Sequence, residues 1–298
     1  MRVNLPIHRK LRIIAMSVGA LLMIVAVSLV ALQLMANWSQ IAPELTRMRP
    51  GFLIGSLLSV LTMLLLMGLG WTWALRAMGV QIKIRSGLII YYRVSILRYL
   101  PGSLWHLPGR AYICQECGIP IPTFAQSAFL ELFFLLSSCA IWSGWGIALF
   151  WDNAAPLLLS AIASGLSLLM IVRPQFALSL TASLGLKLRP ARGTSMLGML
   201  FIYCLVWLSY GTAILFLLYA IPGTQPPSPL SATAINSAAW AAGFLSFSPL
   251  GLGVRELGLS VMLGSNLGAA AIIASLVQRF MEMALEACLW LVAQVSKI

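Results

Sequence analysis

Eight ionisable side chains lie in stretches of this chain apolar enough for membrane depth: Arg98, Arg110, Arg255 and Arg279, with Glu131, Glu256, Glu282 and Glu286. Each costs on the order of 2.5–3.5 kcal/mol at a helix centre unless it is paired or hydrated. Two chemistries follow from such a set. Four cations against four anions can pair with one another as structure, the reading preferred for Glu286. Beside interrupted helices, arginines and freed backbone donors can instead hold an anion, the reading preferred for Arg110, Glu131, Arg255 and Glu256. Ser275, Arg279, Glu282 and Glu286 recur at helical steps of three and four, so they share one face that must look into the protein. Ser127, Glu131 and Ser138 do the same on an earlier helix.

The elements that carry these charges are interrupted. Residues 87–122 contain Pro101-Gly102, Pro108-Gly109 and Ile119-Pro-Ile-Pro122. Proline removes a backbone donor and clashes with the preceding turn, so no continuous helix fits. A re-entrant broken hairpin fits, because irregular backbone is tolerated at membrane depth where it is buried or lines a wet cavity. An amphipathic loop on the cytoplasmic surface is the alternative. Residues 230–265 are similar, with Phe247-Ser-Pro-Leu-Gly-Leu-Gly-Val-Arg-Glu256 where a plain span would be apolar. Pro101 precedes Glu131 by 30 residues, and Pro249 precedes Arg279 by 30, with Glu282 one turn on. Interrupted segments at matching places in inverted halves point to a transporter's binding site. The match is short, and an inverted repeat and coincidence both account for it.

Composition sets the frame. Of 298 residues, 60% are hydrophobic and 9% charged, with seven acids in all. Soluble domains carry about 25% charged residues. A soluble enzyme, a disordered tail and a coiled-coil rod are excluded. The expected fold is an all-α polytopic membrane bundle forming one integral domain over residues 1–298, with broken units at about 87–150 and 230–296. Six full spans are expected: 13–35, 52–75, 123–150, 154–172, 195–221 and 268–295. Gly51 and Gly55 form a G-x-x-x-G pattern at the start of the second, a helix contact or a coincidence. The apolar piece at 175–192 reads as an interfacial helix. Net charge is +12, which positive-inside bias explains better than nucleic acid binding. The flanks assigned to the cytoplasm carry twelve basic residues, from Arg2 to Lys297, against Arg47 and Arg49 outside. Both termini are therefore placed in the cytoplasm and Pro222–Pro229 outside.

Catalytic and metal chemistry find little support. No H-E-x-x-H, P-loop or dinucleotide glycine motif is present. His106, beside Arg110, could carry a proton or touch a phosphate, or be an interfacial histidine. Cys114 and Cys117 form a lone C-x-x-C without a second pair, and chance or packing explains it better than a metal or redox site. No cofactor and no metal are expected.

Ser95-Ile-Leu-Arg-Tyr-Leu-Pro-Gly102, with Arg110 and a helix bearing Glu131, resembles the first signature of the flippase-like transmembrane region of lysylphosphatidylglycerol synthases. Phe247–Glu256, followed by Gln278-Arg-Phe-Met-Glu282, resembles the second. Leu250 departs from the family's Pro-Gly-Gly-Leu-Gly. The resemblance implies a stand-alone member to which lysyl transfer does not carry over. It implies movement of an anionic phospholipid or polyprenyl-linked sugar between leaflets of the inner membrane, without ATP hydrolysis in this chain. The implied lipid pathway comprises Arg98, Pro101, Gly102, Arg110, Glu131, Pro249, Gly251, Gly253, Arg255, Glu256, Arg279 and Glu282, with His106 beside it. The rival readings are a membrane enzyme of polyprenyl-phosphate glycan or head-group assembly, and a scaffold partnering a lipid- or glycan-modifying enzyme.

Overall fold

A computed structural model describes residues 46–99, 105–151, 155–173, 193–246, 253–264 and 267–297, with isolated positions 28, 32, 35, 43 and 251. The first expected span and the interfacial piece at 175–192 lie outside the described residues, apart from isolated positions in the first. So do Pro101, Gly102 and Pro249. The described chain is helical throughout: α1 (Pro50–Ala77), α2 (Ile84–Arg93), a 3-10 turn (Ser95–Tyr99), α3 (His106–Glu116), α4 (Ile121–Trp151), α5 (Ala155–Val172), α6 (Gly193–Ala220), α7 (Pro229–Leu245), α8 (Val254–Leu263) and α9 (Gly268–Val295). It is a helical membrane bundle. Three of its helices are long and apolar enough to cross a bilayer, over Pro50–Ala77, Ile121–Gly144 and Ser195–Ala220, and Leu157–Val172 is a shorter apolar stretch. The 28 residues of α9 would also reach across. Its three charges set it apart from those helices.

Helices α1 and α6 form the most extensive seam, and small residues make it. A Cβ on Gly55 would meet the Phe216 ring at 3.1 Å, one on Gly70 the Tyr203 ring at 2.7 Å, and one on Gly198 the Trp73 indole at 3.1 Å. The pairings run in opposite directions along the two helices, so they are antiparallel. Gly51 meets nothing, so only Gly55 of the G-x-x-x-G pair makes a helix contact. With no hydrophobic drive between helices in lipid, this close backbone approach supplies the dispersion that holds them together. The outward faces are apolar: Leu58, Leu158, Leu168 and Phe201 are exposed, while Ser56, Thr72, Ser127, Ser138 and Ser275 are fully buried. That distribution suits a lipid solvent.

Helices α6 and α7 touch at Gly211, where a Cβ would fall 2.2 Å from the Cα of Thr233. Backbone cannot rotate away as a side chain can. Gly211→Ala is therefore expected to destabilise the bundle by roughly 1–3 kcal/mol through overpacking. Thermal melting in detergent would read this as a lowered midpoint, and an unchanged midpoint would contradict the packing.

The segment at 87–122 is interrupted, but Pro108-Gly109 makes no break: both lie in the first turn of α3, where proline's missing donor has no intrahelical bond to lose. Residues 84–116 form three short pieces rather than one helix. Between α7 and α8 the chain doubles back at Gly251, whose φ is +64° and whose Cβ would lie 3.0 Å from the Gly243 Cα. Glycine is needed there for both backbone conformation and close approach. Gly253, at φ +83°, starts α8. Its N–H donates to Glu256 Oε2 at 2.7 Å, half of a capping box.

Candidate functional site

Three of the four arginines are matched with carboxylates. Arg110 from α3 meets Glu131 of α4 at 2.6 Å, both buried. Arg98 from the 3-10 turn reaches Glu286 of α9 at 3.2 Å. Arg279 of α9 lies 3.3 Å from Glu256 of α8. Arg255 and Glu282 remain, and among the described residues neither forms an ion pair. Sequence reading placed all eight charges inside the protein. Glu286 is ion-paired, and its partner is Arg98, a candidate site residue from far earlier in the chain.

Tyrosines complete both ends of this network. Tyr91 of α2 donates its hydroxyl to Glu131 Oε1 at 3.1 Å, while the Arg110 guanidinium lies 4.2 Å from its ring centroid and 4.8 Å from that of Trp71. Trp71 Nε1 donates to Ser127 at 3.2 Å. Arg98 Nη2 approaches the Tyr91 hydroxyl at 3.4 Å, and Tyr99 donates to Glu286 at 2.6 Å. A connected polar chain thus runs from α3 and α4 through α2 to α9. At the other end, Tyr210 of α6 lies under Arg255, 4.8 Å from guanidinium to centroid. Its hydroxyl donates to Glu282 Oε2 at 3.0 Å. Its carbonyl accepts from Asn236 at 2.9 Å and Gln278 at 2.8 Å. Gln278 Oε1 accepts from Arg255 Nη2 at 3.4 Å. Glu282 and Glu286 are one turn apart on α9 and face the two ends of the network.

The donors left over matter for ligand chemistry. Among the described residues, Arg255 Nε, Arg279 Nη1 and Arg110 Nε are buried with neither a hydrogen-bond nor an ion-pair partner, while Arg279 Nη2 faces Glu256. An unmet guanidinium donor in low dielectric is costly, and an anion would satisfy it. Arg255 and Arg279 stand on adjoining helices near Gly251 and Gly253, in the second broken unit. In the first, Arg110 is already bound to Glu131. The α8 N-terminal donor of Gly253 is likewise taken by Glu256, so backbone adds less there than the sequence suggested. His106 opens α3 half-buried. Cys114 is buried and Cys117 exposed, so these two thiols do not share an environment.

Tyr91, Tyr99 and Tyr210 were missed by sequence reasoning. A neutral aromatic in an apolar helix carries no signal of its own. Gln278 was visible only as part of its motif. Arg93 is explained by structure. It donates to the carbonyls of Ala293 (3.1 Å) and Ser296 (2.7 Å), and Gln294 returns a bond to its own carbonyl at 2.9 Å, so it caps α9.

A helical membrane bundle with an internal arginine–tyrosine–carboxylate network defines a polytopic integral membrane protein with a polar interior. Residues 17–285 match the family model described as the lysylphosphatidylglycerol synthase TM region. The chain belongs to that family. No curated protein matches it.

Proposed function

We propose that this protein moves an anionic lipid, either a phospholipid or a polyprenyl-linked glycolipid, between the leaflets of the cytoplasmic membrane. The observation that carries the reading is Arg255: a buried guanidinium beside Gly251 and Gly253, with its Nε donor unmet and, among the described residues, no ion-paired carboxylate. A phosphate is the lipid group that answers it, and Arg279 adjoins it. The tail stays in lipid while the head group crosses through the polar interior between the broken units. Family membership supports a role in lipid head-group handling. A photoactivatable phosphatidylglycerol, reconstituted with the protein, is expected to crosslink to the α8–α9 segment, and to do so poorly in Arg255→Ala. Crosslinks confined to outward-facing residues such as Leu58 and Leu158 would count against it.

The orientation belongs to the same proposal, with both termini cytoplasmic and the 222–228 loop outside. Ser228 caps α7, its hydroxyl accepting from Ser231 N at 3.2 Å, so a reporter belongs at exposed Gln225. In a background with its five cysteines replaced by serine, Gln225→Cys is expected to react with an impermeant maleimide on whole cells. Reaction only after lysis would invert the topology.

A further inference from the structure

The charge network contains one arrangement twice, in two states. Arg110 lies over Tyr91, Tyr91 donates to Glu131, and Glu131 also grips Arg110 at 2.6 Å. Arg255 lies over Tyr210 and Tyr210 donates to Glu282, yet Glu282 and Arg255 form no ion pair. The same three residue types are closed in the first set and open in the second. In the open set Glu282 Oε2 accepts from Tyr210, while Arg255 Nε, among the described residues, has no hydrogen-bond partner. Arginine and carboxylate are tethered to one tyrosine, so side-chain rotation alone could join them, without moving a helix.

We propose that Glu282 is the displaceable counter-ion of Arg255: held off the arginine by Tyr210 in this structure, it swings onto the guanidinium to expel the lipid phosphate and yields to the next one. This rests on the anionic-lipid reading above. An empty arginine in low dielectric is costly, and a permanently paired one cannot bind substrate. A carboxylate held within reach by the Tyr210 hydroxyl meets both demands. It discharges the lipid by replacing the phosphate, as Glu131 occupies Arg110. Glu282 acts through Arg255 and is a positioning residue.

The test is a binding and transport comparison of Glu282→Gln with wild type. Two probes are titrated into the detergent-purified full chain, followed by tryptophan fluorescence: dihexanoyl-phosphatidylglycerol and citronellyl phosphate, which separate a phospholipid from a polyprenyl source. Glutamine keeps the Tyr210 hydrogen bond but competes weakly for arginine. The Kd of whichever probe binds wild type is expected to fall about tenfold, while transport turnover in vesicles falls because release slows. Glu282→Leu should shift the Kd in the same direction, which covers a glutamine variant that does not fold. A residue that merely supports the fold would weaken binding or leave it unchanged, and either result overturns the counter-ion role. Tightening that persists in Arg255→Ala/Glu282→Gln overturns it too. Failure of both probes to bind wild type would overturn this inference together with the anionic-lipid reading. Wild-type binding lost in Arg255→Ala, without tightening in Glu282→Gln, would overturn the inference alone.

Discussion

Arg255→Ala is expected to abolish lipid transport while leaving a folded bundle. Among the described residues no carboxylate is ion-paired with this arginine, so its removal breaks no salt bridge. What is lost inside the protein is the Tyr210 ring contact and a 3.4 Å hydrogen bond to Gln278, together about 1–3 kcal/mol. What is lost to a phosphate is a charge-assisted contact in low dielectric, worth about 2–5 kcal/mol, or a factor of roughly 30 to several thousand. Function should fall much further than stability. Detergent melting and vesicle transport measured on the same preparation would separate the two. A variant that melts far below wild type, yet still transports at the wild-type rate once reconstituted, would make Arg255 structural.

Arg110→Ala is expected to do the reverse. Its partner Glu131 is 7% exposed and would keep only the Tyr91 hydroxyl. Breaking a buried pair from one side leaves an uncompensated charge and costs about 3–5 kcal/mol. Most of the folded yield should be lost. Glu131→Gln is milder, because Arg110 keeps the faces of Trp71 and Tyr91 and the amide still accepts a hydrogen bond. Replacing both residues with methionine should recover much of the melting point lost in Arg110→Ala, since the cost lies in the orphaned acid. If Arg110→Ala melts within a degree or two of wild type, the pair does not hold α3 to α4.

The contrast between these arginines could not be read from the chain. Both follow a proline-glycine break, and sequence assigned them one role. What distinguishes them is tertiary. Arg110 finds an acid 21 residues on, whereas Glu256, the acid next to Arg255, faces Arg279 and its own helix cap. Arg98 and Glu286 are separated by most of the chain, and no spacing rule reaches that far. Interruption, burial and facing were legible because each is local. Residues 84–116 fall into short pieces, although α3 runs through Pro108-Gly109, the four-residue steps of α9 fix one polar face, and charges in an apolar chain must turn inward. The tyrosines were not legible, because their hydroxyls become partners only once the fold brings acids to them. Span number is harder still: α9, expected as a full span, has the length of one, but its three interior charges set it apart from the apolar helices.

Lipid transfer between leaflets is tested most directly in proteoliposomes. The purified chain is reconstituted with a trace of fluorescent NBD-phosphatidylglycerol, and external dithionite bleaches whatever reaches the outer leaflet. Protein-free vesicles lose only the outer half of the signal. Wild-type vesicles are expected to lose nearly all of it, and Arg255→Ala vesicles to behave like the protein-free control, with an NBD-labelled polyprenyl phosphate run in parallel. Wild-type vesicles that retain the inner-leaflet signal with both probes would contradict the account.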